Sequence, residues 1–326
     1  MKNKLLLCLI IFTFNLFNIQ DSNSQDFEIN HADSLEATEQ EIAISGNIIV
    51  TYKNATVLAP KAIITNDLQG KAEKAVFIGN SKLHLSDREL SADKITIYLN
   101  TKLIIAEGNT KSKLTDKNKS ELLIEANYQE LSWEGEGAKA TGNIKTNYQD
   151  TEVISDKAKI IYKDKKPVKA IFDSINEPAT LKQKNHLTKA FIFNFDINTK
   201  DVTASESVES IIWPYSTQSR ENQSTIHLNT DELYLNHETE EGTATSKKNK
   251  VKLTYEDTSG ESNKALLIRD KTTKKPDKII FTGQADVNQK DKKLSSEEII
   301  FNFNDKKLVS SKVSNIRPKT IIFKQD

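Results

Sequence analysis

Residues 90–111 read LSADKITIYLNTKLIIAEGNTK. In its first half Ile95, Ile97 and Leu99 alternate with Lys94, Thr96 and Tyr98, the period-two pattern of a strand with one apolar face. Asn100-Thr101-Lys102 makes a turn. A second apolar run, Leu103 to Ala106, then leads into Gly108-Asn109, a pair that tolerates positive φ and marks a bend or bulge.

Variants of this stretch recur along the chain. Gly-Asn stands at Gly46-Asn47, Gly79-Asn80, Gly108-Asn109 and Gly142-Asn143, at spacings of 33, 29 and 34 residues. Fainter echoes follow at Ser174-Ile175-Asn176, Gly283-Gln284 and Ser314-Asn315. Between them lie strands opened by a small residue and an acid: Ala92-Asp93, Ser155-Asp156 and Thr230-Asp231, with Ser296-Glu297 and Ala59-Pro60 as weaker relatives. About nine units fit residues 40–326. Each holds at least two strand passes joined by polar turns such as 66–70, 163–166 and 304–307. Helix signals are nearly absent, and even Glu36 to Ile44 runs into an alternating strand. Residues 256–277 read as a long loop or an insertion. Strands with one apolar side must be covered by an opposing sheet, so the expected fold is all-β, an elongated roll that lengthens with unit number.

Composition excludes several function classes. The 326 residues carry 46 Lys and Arg against 46 Asp and Glu, and no basic cluster is larger than Lys247-Lys248-Asn249-Lys250, so a nucleic-acid backbone has no footprint. Residues 1–24 resemble a signal peptide: Lys2 and Lys4 precede an apolar run from Leu5 to Ile19, and Ser22-Asn23-Ser24 supplies small residues for cleavage. That run is about 15 residues, short of the roughly 20 of a membrane helix, and the alternative reading is an uncleaved anchor. Cys8 lies inside this segment, so the exported chain from Gln25 has no disulfide to rely on.

Catalytic constellations are weak. His31, His84, His186, His227 and His237 lack metal-ligand spacing, no nucleophile elbow, phosphate loop or dinucleotide fingerprint occurs, and Glu134, Glu136, Glu238, Glu240 and Glu241 read as solvated acids at turns. Asp93, Asp156 and Asp231 are expected to cap local backbone N–H groups. The chain reads as a non-enzyme that needs neither cofactor nor metal.

An exported chain with repeated A-D-K-I-x-I-Y followed by A-E-G-N or A-T-G-N resembles the OstA-like family, which includes LptA, LptC and the periplasmic part of LptD. The likeness is clearest over residues 42–163, weaker over 225–326, and interrupted around Trp213-Pro214-Tyr215. It implies a twisted antiparallel β-jellyroll, open at its ends and along one seam, whose apolar interior carries lipopolysaccharide acyl chains across the periplasm in outer-membrane biogenesis. Residues 25–326 then form one such domain, or two fused modules.

Under this resemblance the lipid-facing residues are Ile48, Val50, Ile95, Ile97, Leu99, Ile160, Leu233, Leu235, Ile299, Phe301 and Phe303. Partner docking, to other OstA-like components or to a second copy, falls to the flat strands Ile48-Ile49-Val50 and Ile321-Ile322-Phe323. The competing class is an exported scaffold or adhesin whose interior is an ordinary dry core, since inward apolar residues are needed for stability in either case.

Overall fold

A computed structural model describes residues 27–86, 88–115, 119–214, 223–310 and 319–322. The targeting segment, the Ser314-Asn315 echo and Phe323 lie outside the described residues. The fold is all-β: 24 antiparallel strands hydrogen-bonded into one continuous sheet, with no helix among the described residues. A long loop at 256–277 is not what forms there, because most of that segment pairs as two strands.

The first pass of the chain is broken in two, β1 (Phe27–His31) and β2 (Ser34–Ala37). Eight uninterrupted passes follow: β3 (Glu41–Tyr52), β4 (Ala55–Asn66), β5 (Ala72–His84), β6 (Arg88–Tyr98), β7 (Leu103–Thr115), β8 (Glu121–Ser132), β9 (Gly137–Tyr148) and β10 (Thr151–Lys163). Two broken passes come next, β11 (Lys166–Asp173) with β12 (Ala179–Lys182), then β13 (His186–Ala190) with β14 (Ile192–Asp196). After the unbroken β15 (Val202–Ile212) and β16 (Ile226–Leu235) come the broken β17 (Gly242–Thr245) with β18 (Val251–Tyr255) and β19 (Thr258–Ser262) with β20 (Lys264–Arg269). The unbroken β21 (Pro276–Gln289) and β22 (Lys292–Asn302) precede the last pass, β23 (Lys307–Ser310) with β24 (Lys319–Ile322). With six passes each split into two strands, the 24 strands make eighteen passes. At about 4.8 Å per strand the sheet is on the order of 80 Å long.

Every described pass bends midway, and the Gly-Asn repeat is one way of building the bend. At Gly108 (φ 74°) and Asn109 (φ 46°) the ladder between β6 and β7 jumps from Ser91↔Lys111 to Lys94↔Glu107, one extra residue on β7. Gly46-Asn47, Gly79-Asn80, Gly142-Asn143 and Gly283-Gln284 repeat this pair of positive φ values, and Glu206-Ser207 does so without glycine. The Ser174-Ile175-Asn176 echo is instead the break between β11 and β12, with no positive φ. Aligned along the sheet, these bends form a corner line. Residues before each Gly-Asn and after each Asp lie in a front layer, and the remainder lie in a back layer.

Alternation then buries one face of each layer against the other. Ile44, Phe77, Ile95, Phe172, Phe193 and Phe281 point inward from the front layer, and Val50, Leu83, Ile124, Leu181, Leu253 and Val287 point inward from the back layer, all in one buried cluster. The outer faces carry cross-strand ion pairs in register, among them Lys94–Glu107 (2.7 Å) and Lys111–Glu125 (3.0 Å), which favour this register because a one-residue slip would invert every face. Thr96, expected in solvent, is outward but buried, flanked in register by Val76 and Ile105.

Candidate functional site

The long feature of this molecule is its interior. Next to the free margins of the front layer, one inward residue from each pass forms a long apolar row. It runs from Ile42 and Ile64 through Ile97, Ile160 and Leu235 to Phe301 and Leu308, each pass contributing the residue across the ladder from the last, and it is interrupted at β17, where Gly242 stands between Leu235 and Leu267. All eleven residues assigned to the interior from the sequence are buried in the common core between the layers, from Ile48 and Val50 to Phe303.

Strand pairing joins the two layers only along the corner line. Their opposite margins meet as a seam with no ladder across it among the described residues, so the layers can separate there without breaking any described strand pairing. Side chains close the seam at intervals. Tyr52 packs edge-on to Trp133 with ring centroids 5.2 Å apart, Tyr148 to Phe195 at 5.7 Å, and Tyr255 to Phe303 at 5.0 Å. Between them stand polar ties. Arg88 Nη1 donates to the Ser132 carbonyl at 3.1 Å, Asn185 Nδ2 to Glu240 Oε2 at 2.9 Å, and Arg269 Nη1 to the Pro214 carbonyl. Burial holds the Arg269 guanidinium below the usual arginine range, and the nearby Glu240 carboxylate partly offsets it. In the C-terminal half each tie joins a back-layer pass to the front-layer pass three further along, as in Tyr148 of β9 with Phe195 of β14.

This stagger leaves the inward faces at the two extremities less covered. At the start Leu35 on β2 is 51% exposed; at the end Ile322 on β24 is 65% exposed, while its neighbour Ile321 shares the outward face with Lys293. The N-terminal margin therefore lies one pass earlier than the sequence suggested. Ile48, Ile49 and Val50 belong to β3, which pairs with β1 on one side and β4 on the other, so they form an interior strand rather than an edge. The signal missed was Asp33, which meets Gly46 across the first corner just as Asp93 meets Gly108. Ile321 and Ile322 are on a margin strand paired only with β22 among the described residues.

Asp156 and Asp231 cap backbone amides, but across the corner on the next pass, and Asp93 accepts from the Asn109 side chain instead. Asp231 Oδ2 accepts from the Lys247 and Lys248 amides at 2.8 and 3.0 Å, which draws its pKa down, and Asp156 Oδ2 accepts from the Ile175 amide at 3.0 Å. No group of three or more His, Cys, Asp or Glu among the described residues could hold a metal ion. No helix among them is long and apolar enough to cross a membrane.

No family model matches the chain, and no curated protein does. Among solved structures it is similar to the crystal structure of LptH from Pseudomonas aeruginosa, the LptA-homologous periplasmic component of a lipopolysaccharide transport device. That likeness has 12% identity and a TM-score of 0.34, and spans 38% of this chain and 96% of the other. The fold described above rests on strand pairing alone.

Proposed function

We propose that this chain is an exported, non-enzymatic lipid carrier of the OstA-like kind, which takes the acyl chains of lipopolysaccharide or a related lipid between its two layers in the periplasm. The observation that carries the reading is the long apolar row, interrupted only at Gly242, beside a seam that no backbone pairing closes among the described residues. An acyl chain entering there meets apolar side chains from the first passes to the last. Its entry costs aromatic and polar ties rather than a strand ladder. The margins, β1 with β2 and β23 with β24, are where other transport components or a second copy would add strands.

One observation favours a second reading, an exported scaffold with a sealed core. Phe77, Phe193, Phe281 and Ile299 are completely buried, as in an ordinary close-packed interior.

Photo-crosslinking in the periplasm of a lipopolysaccharide-producing host separates the two. A crosslinker at Ile97, Ile160 or Phe301 should yield lipid adducts, whereas one at the outward, exposed Lys159 should not. Protein-only adducts from the three inward positions, or equal lipid labelling from Lys159, would establish the sealed scaffold instead.

A further inference from the structure

We infer that the interior holds a polar niche for an ester carbonyl of the guest, on the back layer where β7, β8 and β9 run side by side. Three buried hydroxyls, Ser81 on β5, Ser112 on β7 and Thr146 on β9, have no hydrogen-bond partner among the described residues. Alternation turns all three inward, into the core that also takes Leu83, Leu114 and Ile144. Ser112 and Thr146 stand on either side of Ile124 in register, two strand spacings or about 9.6 Å apart.

Other buried polar groups of the same wall are satisfied. Thr110 Oγ1 donates to the Ala126 carbonyl at 2.8 Å, and Gln129 Nε2 donates to Thr110 Oγ1 at 2.9 Å and to the Ile124 carbonyl at 3.1 Å. Farther along the row that holds Ser112 and Thr146, Thr188 and Ser210 bond each other at 2.8 Å. A buried hydroxyl with no partner carries its full desolvation cost, which alanine and valine at these positions would avoid in a permanently sealed core.

The surroundings define what such a hydroxyl can meet. In the inward front-layer row beside the corner, Ala106, Gln129, Ala140 and Ala158 stand in register, whereas Phe77 and Ile95 precede them and Phe172 and Phe193 follow. The passes around Ser112 and Thr146 are thus the ones with the least side-chain bulk in that row. The buried residues of β7, β8 and β9 include no acid and no base, so the niche offers O–H donors to a neutral oxygen and no counter-charge to an ion. Its row lies two residues, about 7 Å, in from the seam margin where Leu114, Leu122 and Tyr148 stand. A headgroup held outside the seam therefore brings the first carbonyl of its chain, rather than the distal methylenes, to this depth. The inference rests on the carrier reading given above and adds the functional group that the interior recognises.

Two probes that differ by one carbonyl test it: 1-dodecanoyl lysophosphatidylcholine and its 1-O-dodecyl ether counterpart, each titrated calorimetrically into the exported chain. The parent should bind the ester about tenfold more tightly than the ether, and the double variant Ser112→Ala with Thr146→Val should bind both at the level of the ether. Its unfolding midpoint in the absence of lipid should equal or exceed that of the parent, because neither hydroxyl gives up a bond. Equal affinity of the parent for the two probes, or discrimination that survives in the double variant, overturns the niche and leaves the carrier reading standing. A clear fall in the lipid-free midpoint also overturns it, since the hydroxyls would then be bonded to buried water already. Binding of neither probe removes the carrier reading and the niche together.

Discussion

Asn109 donates its Nδ2 to Asp93 Oδ2 at 2.8 Å across the corner between β6 and β7, and the same facing pair recurs along the molecule. Asp33 stands against Gly46, Asn127 against Gly142 and Asn263 against Gly283, with Pro60 against Gly79. Each partner sits where the neighbouring pass bends, so the corner line is tied by side chains as well as by the ladder. It is the fixed axis about which the layers would part at the seam.

Gly108→Ala tests that axis. Glycine there has φ 74°, and a Cβ would lie 2.5 Å from Asp93 Oδ2 and 3.0 Å from Asp93 Cβ. The left-handed conformation alone costs alanine about 1–2 kcal/mol, and displacing Asp93 adds to it. Gly70→Ala, at φ 75° with nothing within 4 Å, carries only the conformational cost. Urea unfolding should place the Gly108 variant clearly below the Gly70 variant, and equal midpoints would show that the corner contact contributes nothing.

Acid should loosen a corner in the C-terminal half. Backbone hydrogen bonds from Lys248 and Lys247 lower the pKa of Asp231 from its ordinary 3.8. A carboxylate with a depressed folded-state pKa adds stability above its unfolded value, and that stability is lost as pH falls through the folded one. Asp231→Asn keeps an acceptor for the two amides but no longer titrates. Its stability should therefore fall less than that of the parent between about pH 5 and pH 2, while differing little at pH 7. A parallel decline in both proteins would contradict the assignment.

What was legible in the sequence follows from how each corner is built. From β3 to β10 the passes run unbroken, most with Gly-Asn or a small residue with Asp at the bend, and their alternation is clean enough to place Ile95, Ile97 and Ile160 inward. Elsewhere the same bend is made by Glu206-Ser207, by Asn263 alone or by the five residues between β17 and β18, none of which repeats a motif. The strands β19 and β20 escaped notice because the inward residues of β19 are Thr258, Gly260 and Ser262, small and polar, so no apolar period exists. Their reason is three-dimensional. A Cβ on Gly260 would lie 2.4 Å from Phe281 Cε1, so the glycine makes room for a ring that belongs to β21. Gly260→Ala should cost about 1–3 kcal/mol by overpacking, and Phe281→Leu should recover part of that loss in the double variant. Additive costs in a thermal-denaturation cycle would mean the two sites are not coupled. The ties across the seam, such as Asn185 to Glu240, were equally hidden, since a stagger of three passes cannot be read from spacing.

Arg269 is the most deeply buried tie across the seam. Its Nε donates to the Glu240 carbonyl at 2.8 Å, its Nη1 to the Lys274 carbonyl at 2.9 Å and also to that of Pro214 on the other layer. Replacement by alanine orphans one buried acceptor, the Pro214 carbonyl, and two part-buried ones, at about 1–3 kcal/mol for each one that water cannot reach. Lysine restores the charge but not the planar fork, so Arg269→Lys should recover less than half of the loss in thermal midpoint. Hydrogen exchange should rise at residues 235–240 in both variants. Full rescue by lysine would show that charge, rather than the fork, makes the tie.

The two extremities complement each other in shape and charge. The stagger uncovers Leu35 in the front layer at the start and Ile322 in the back layer at the end, while the first margin bears Glu28 and Glu36 and the last bears Lys307 and Lys319. Unpaired apolar strands of opposite charge favour head-to-tail addition of one copy to the next, a heterologous contact that extends without closing. Sedimentation mass should rise with concentration for the parent chain. Leu35→Lys brings a cation into the acidic first margin and Ile322→Glu an anion into the basic last one, so the former meets a basic margin and the latter an acidic one, and each variant alone should remain monomeric. Each nevertheless keeps one intact margin, and these are of opposite kinds. An equimolar mixture of Leu35→Lys and Ile322→Glu should therefore form dimers and stop there, since both outer margins of such a dimer are blocked. A monomeric parent at every concentration would remove the docking idea. Variants that associate as the parent does would move the contact away from these strands.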